Sequence, residues 1–152
     1  DTLHVIVCHL PSQASGTREA DTNRQTAART LRSLADSILQ SDPGAALVIA
    51  GDFNSDSRSR LIRSLDGDSL RHLPFDHEGT YRFRGDWTHL DHVFCTPRII
   101  ADTARILRPD FLLEPNKTYG GTQPRRTFRG PTYHGGVSDH LPVLLRYRLR
   151  EK

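Results

Sequence analysis

The chain has 152 residues with a formal net charge of +3, and its 36% hydrophobic and 26% charged content is that of a globular protein. This length suits one domain with one core, burying roughly two-thirds of the unfolded surface. No apolar run approaches the roughly 20 residues that cross a bilayer as a helix, so a spanning role is excluded from the expectations.

Asp1 opens the sequence without a Met, a basic segment or an apolar segment, so no targeting peptide is expected in these residues. Leu3 to Val7 reads at once as a strand, which predicts that upstream residues are missing. A secreted or periplasmic location would follow if an upstream signal had been removed, and the compartment is otherwise open. Leu3, Val5, Val7 and His9 share one face of that strand, while Ile6, Cys8 and Leu10 share the other. Apolar groups on both faces predict a central strand. Pro11 ends it and leaves His9 at its last turn. Cys8 and Cys95 both lie in apolar strand-like runs and read as buried free thiols.

Pro11 to Asp21 reads as a polar loop. Thr22 to Gln40 then carries Ala27, Ala28, Leu31, Leu34, Ala35, Ile38 and Leu39 at helical spacing. Arg24, Arg29 and Arg32 fall mostly off this stripe and are expected in solvent, with Arg24 a minor candidate for anion contact at the helix start. Asp42-Pro-Gly44 turns the chain into the apolar run from Ala46 to Ala50, which stops at Gly51-Asp-Phe-Asn54. Alternation along a strand sends Asp52 and Asn54 to one side and Phe53 to the other. A carboxylate and an amide oxygen at one strand end suit Mg²⁺, Mn²⁺ or a phosphate. For this tetrapeptide alone, ordinary turn chemistry is the alternative.

Arg60 to Leu65 is a short helix, and Gly67 to Glu78 has no clean period, with His72 and His77 expected at the surface. Thr80–Arg84 and Trp87–Cys95 flank Gly85-Asp86 as the two strands of a hairpin. In the second of these, Asp91 shares a face with Val93 and Cys95, and an acid beside buried apolar groups needs a partner. Trp87 reads either as core or as pocket wall. Ile99 to Glu114 holds a further strand around Ala104–Leu113, interrupted at Arg108-Pro109. Pro115 to Gly136 is a loop long enough to suggest function; Arg125-Arg-Thr-Phe-Arg129 and Tyr133 can grip a ligand by charge and stacking, and a mobile surface loop explains the same residues equally well. Arg125, Arg126, Arg129, Arg146, Arg148, Arg150 and Lys152 make this end basic, which favours an anionic partner; solubilising surface charge explains the same residues equally well. Gly136-Val-Ser-Asp-His-Leu-Pro-Val143 leads into an alternation from Leu141 to Leu149, with one face core and one face wet.

Four pieces in order, His9 with its strand, Gly51-Asp-Phe-Asn54, Trp87-Thr-His-Leu-Asp-His-Val93 and Ser138-Asp-His140, resemble the endonuclease/exonuclease/phosphatase superfamily of metal-dependent phosphoesterases. The resemblance implies an α/β (α+β) fold, a four-layer β-sandwich of mixed sheets flanked by helices. Residues 1–152 would be the C-terminal portion of one such domain, with its N-terminal part missing. It implies hydrolysis of a phosphoester bond, as a phosphodiesterase, nuclease or phosphatase, with Mg²⁺ (or Mn²⁺) as cofactor. His9, Asp52, Asn54, Asp91 and His140 would be catalytic. Asp52 would orient or deprotonate the attacking water or bind metal, and Asn54 would hydrogen-bond the phosphate. His9 would contact the scissile phosphate or help protonate the leaving group, and His140, oriented by Asp91, would stabilise the pentacovalent transition state. Asp52, Asn54, Asp139 and His140 would surround the metal, and Arg125, Arg126 and Trp87 would bind substrate.

The sequence also departs from the family pattern. Cys8 stands where some members have Asn, and the upstream Asn and Glu, the latter the principal Mg²⁺ ligand, have no counterpart. The chain alone is therefore expected to bind metal poorly, to be incomplete as a catalyst, and to self-associate or pair with a missing N-terminal segment through an apolar surface. Nucleic acid, sugar phosphate and lipid phosphate are not distinguished as substrates. The alternative is a non-catalytic binding module of the same fold for an anionic partner. The His spacings form no compact zinc set.

Overall fold

The structure, a computed structural model, describes residues 2–12 and 18–151. Aliphatic and β-branched residues dominate Leu3–His9 (β1) and Ala46–Asp52 (β2), and the two strands run parallel, with Leu3 opposite Ala46 and His9 opposite Asp52. Parallel neighbours need a crossover, and the helix Arg18–Ser41 (α1) supplies it. A second helix, Arg60–Leu65 (α2), starts at Ser59, whose hydroxyl accepts from the Ile62 amide at 3.2 Å as a cap. Arg71–His72 (β3), Tyr81–Phe83 (β4), Asp86–Thr88 (β5) and Asp91–Cys95 (β6) follow. Then come Ile99–Ile100 (β7), Ala104–Ile106 (β8), a 3-10 turn at Asp110–Leu112, Leu113–Pro115 (β9), Thr122–Pro124 (β10), Phe128–Arg129 (β11) and Thr132–Tyr133 (β12). Val143–Leu145 (β13) and Arg148–Leu149 (β14) end the chain.

β1, β2, β6 and β3 form the main sheet in that spatial order, parallel at the first step and antiparallel at the next two. One face carries Leu47, Ile49 and Phe94, which meet Ala28, Leu31 and Ala35 of α1 and Leu61, Ile62 and Leu65 of α2. The other carries Ala46, Val48, Val93 and Cys95, which meet Ile99, Ala104, Val143, Leu145 and Leu149 from the paired ribbons β7–β14 and β8–β13. Helices, main sheet and ribbons thus stack as layers of a β-sandwich. Each fully buried Leu, Ile or Phe contributes about 1.5–3 kcal/mol of transfer free energy, and Phe53, Phe94, Leu47 and Ile49 are all in that class.

Several expectations change. β1 sits at the edge of the main sheet rather than at its centre, with Val5 57% and Val7 79% exposed. The helix begins at least four residues earlier than its apolar stripe, because Arg18, Glu19 and Asp21 continue it as a polar first turn; residues 13–17 of the expected loop lie outside the described residues. Arg24 is 8% exposed rather than solvated: its guanidinium donates to the Pro11 and Ser12 carbonyls and to Asp21. The hairpin turn is Arg84-Gly85, both at positive φ, because Phe83 pairs with Asp86. The stretch from Ala104 to Leu113, expected to be interrupted at Arg108-Pro109, is β8 followed by the 3-10 turn, and the expected Leu141–Leu149 strand is broken into β13 and β14. Pro115 to Gly136 is no plain loop but holds β10 and the β11–β12 ribbon.

His72 is not a free surface residue. Its Nε2 lies 3.0 Å from Nδ1 of His92, whose own Nε2 lies 2.8 Å from the Ser55 carbonyl. A carbonyl only accepts, so His92 carries its proton on Nε2 and accepts from His72 on Nδ1. His92 is 0% exposed, and burial lowers its pKa to about 4. The neutral ring is therefore the native form. Its contribution to stability is fully present above the unfolded value near 6.5 and is lost as pH falls toward 4, on the order of 3 kcal/mol in all. Urea midpoints measured from pH 7 to pH 4 should fall more steeply for the natural chain than for His92→Gln, which keeps an amide donor for Ser55; parallel curves would contradict this.

Candidate active site

Strand register brings the first three groups together. His9 is opposite Asp52 across β1–β2, and Asp52 is opposite Asp91 across β2–β6, so one row across three strands carries a histidine and two acids. Like charges directly opposite on an antiparallel pair repel. His140 answers this from outside the sheet. Its Nδ1 lies 2.6 Å from Asp91 Oδ2, and its Nε2 lies 3.9 Å from Asp52 Oδ2. His9 Nε2 reaches the same Asp52 oxygen at 3.6 Å from a largely exposed position.

Electrostatics follow from this packing. Burial raises the Asp52 pKa, and the Asp91 charge adds to it against the pull of the Asn54 amide and the two histidines. For Asp91, burial would raise the pKa, but hydrogen bonds from His140 and Thr80 and the His140 charge bring it below the usual carboxylate value. For His140, burial opposes the charge, yet the hydrogen bond and charge of Asp91, then Asp52 and Asp139, carry its pKa above the ordinary histidine value. An imidazolium between two carboxylates is the favoured state.

Asn54 braces Asp52. Its backbone amide donates to Asp52 Oδ1 at 2.7 Å, and its side-chain Nδ2 donates to Asp52 Oδ2 at 3.1 Å and to the Leu10 carbonyl at 2.9 Å. The φ of +47° that this needs is one Asn tolerates better than most residues. Asp139 turns to Arg126, 4.0 Å away and half exposed. The Arg126 guanidinium lies 5.8 Å from the centre of the Tyr81 ring, which itself lies on the His140 imidazole at 4.9 Å. Arg126 is thus at the rim of the site, and Arg125 is exposed one residue away. A cavity of about 350 Å³ is lined by Gly51, Asp91, Ser138 and His140 among others.

Trp87 is not among the residues lining that cavity; Arg108 covers its ring at 4.2 Å and Arg82 lies 5.8 Å from it. The metal set is not assembled either. Among the described residues no three or more His, Cys, Asp or Glu side chains are placed to hold a metal ion. Asp139 leans on Arg126, and the two acids favour the charged form of His140, which has no lone pair to give a metal, so Asp52, Asn54, Asp139 and His140 do not by themselves fit Mg²⁺.

Two groups of residues escaped the sequence reading. Thr80 and Tyr81 hold the Asp91–His140 pair, and only the Thr-Tyr start of a short strand signals them. Glu114 accepts from Gln123 Nε2 at 2.9 Å, His134 Nε2 at 2.6 Å and Arg129, and these donors, outweighing burial, bring its pKa down to about 2. That acid ties β9 to the β11–β12 ribbon beside the site. The segments on either side of the ribbon are joined to each other where Gly136 N donates to Arg126 O and Val137 N donates to Arg125 O, both 3.0 Å.

The beta toxin of Staphylococcus aureus aligns with a TM-score of 0.62 at 17% identity, over 97% of this chain and 53% of that one. A variant of that toxin with bound magnesium ions aligns at 0.60 and 18%, over 94% and 52%. A mannosyl-6-phosphatase of Bacteroides thetaiotaomicron aligns at 0.58 and 15%, over 88% and 47%. Likeness at these identities speaks to the fold alone, and the chain spans about half the length of these structures. No curated protein matches the sequence. The sequence profile of the endonuclease/exonuclease/phosphatase family matches residues 1–149, in line with the sandwich and the strand-end site, and the chain belongs to that family.

Proposed function

We propose that this chain is the C-terminal half of a phosphoester hydrolase whose other half completes both the sandwich and the site. The observation that carries the reading is the Asp52–His140–Asp91 chain at 3.9 and 2.6 Å, with His9 3.6 Å from Asp52, all at one strand end. Family membership supports the reaction class. Asp91 holds Nδ1–H, so Nε2–H of His140 is directed toward Asp52 and the space above it, where it donates to a phosphoryl oxygen as charge develops. Asp52, made more basic by burial, takes the proton of the attacking water. The exposed His9 supplies a proton to the leaving oxygen, and Arg126 with Arg125 holds the anionic flank of the substrate.

Dependence on Mg²⁺ (or Mn²⁺) is proposed for the completed protein only. Asp52 and Asp139 are too few for the roughly six oxygen ligands such an ion takes, and the other half would supply the rest.

The test joins the chain to the residues encoded upstream of Asp1 and assays product release from a nucleotide diester, a sugar phosphate and a phospholipid headgroup, with Mg²⁺ and with chelator. Hydrolysis of at least one substrate by the joined protein, abolished by chelator and absent from the 152-residue chain, is expected. Tight binding of these anions without hydrolysis would replace the enzyme with the binding module.

A further inference from the structure

Asp91 Oδ2 is shared by two donors. His140 Nδ1 lies 2.6 Å from it, and the hydroxyl of Thr80 donates to the same atom. Thr80 is 0% exposed, and its backbone is held on both sides: its amide donates to the Thr88 carbonyl at 3.1 Å, and its carbonyl accepts from Leu141 N at 2.8 Å. The next residue, Tyr81, forms a backbone bridge with His140 and lays its ring against the imidazole at 4.9 Å and 36°. One dipeptide therefore touches both members of the pair, through a hydroxyl on the acid and through a ring and backbone on the base.

The torsion that turns a carboxylate plane is broad and only roughly two-fold, so Asp91 is aimed chiefly by what donates to it. A threonine placed for packing alone would satisfy its hydroxyl on the nearest carbonyl. Here the hydroxyl goes to the one oxygen that the histidine uses. We propose that Thr80 is a positioning residue: it fixes the plane of the Asp91 carboxylate and registers the His140 segment against β4, so that Nε2 of His140 faces Asp52. Only the kinetic consequence of this inference rests on the hydrolase reading; the geometric consequence stands without it.

The decisive measurement is the His140 Nδ1 proton in ¹⁵N-histidine NMR of the 152-residue chain. In the natural chain this proton, held by Asp91 at 2.6 Å, should be protected from solvent and give a low-field signal. Thr80→Val, which keeps the shape and removes the hydroxyl, should speed its exchange by about 10-fold or more. Thr80→Ser should retain the natural rate. In the joined protein Thr80→Val should lower kcat by roughly 10-fold at unchanged KM, with Thr80→Ser restoring it. Should Thr80→Val fail to fold, Thr80→Ala carries the same readouts. A Val or Ala variant with the natural exchange rate, or a Ser variant that loses it, overturns the inference. If the joined protein hydrolyses nothing, the hydrolase reading fails and the exchange rate still decides the role of Thr80.

Discussion

Replacing His140 with Ala is expected to lower turnover of the joined protein by about 10²-fold or more, the scale of a lost acid, base or oxyanion donor. Substrate affinity should change little, because the interaction strengthens chiefly as charge builds on the phosphoryl oxygens. The reason lies in its surroundings. His140 is held by Asp91 at 2.6 Å, faces Asp52 at 3.9 Å, and is kept protonated by both acids despite its burial. Removing it leaves Asp52 and Asp91 opposite each other with no cation between them, so some loss of stability should accompany the loss of rate. Steady-state kinetics on whichever of the three assayed substrates is hydrolysed, with a parallel melting curve, separate the two effects. Turnover unchanged in a folded His140→Ala variant would remove this histidine from the chemistry.

Gly51→Ala is expected to unfold the chain or to cost more than about 4 kcal/mol, at the extreme of single substitutions. A Cβ at this position would lie 1.9 Å from the Cys8 carbonyl oxygen and 2.9 Å from the Cys8 carbonyl carbon and nitrogen. Those are backbone atoms of the neighbouring strand, so no side chain can swing away to relieve the clash. The φ of +144° adds a conformation that L-residues with a side chain rarely adopt. Because Gly51 and Cys8 directly precede Asp52 and His9, their close approach also sets the spacing of those two groups. Gly67→Ala is the control: a Cβ there meets nothing within 4 Å, and its melting temperature should stay close to that of the natural chain. A Gly51→Ala variant that melts with Gly67→Ala would show that β1 and β2 separate more easily than their register suggests.

Features governed by a few neighbouring residues were legible in the sequence. The strands around Leu3–His9 and Ala46–Asp52, the body of α1 and the bounds of α2 all follow from periodicity and turn chemistry, which act over one or two turns of chain. Asp91 also announced its need for a partner, because an acid among apolar strand residues is costly wherever the strand ends up. Tertiary structure decided what depends on segments far apart in the chain. It set the register that lines up His9, Asp52 and Asp91, and it put β1 at a sheet edge although both its faces are apolar. It buried Arg24 under the Pro11 and Ser12 carbonyls, drew Arg71–His72 into the main sheet, and divided the Leu141–Leu149 alternation between two partner strands. It also placed a threonine hydroxyl on the Asp91 oxygen that His140 uses, and covered Trp87 with Arg108. A two-residue strand or a single hydroxyl has no period of its own. Its place is set by the energy of contacts that form only when the layers close on one another.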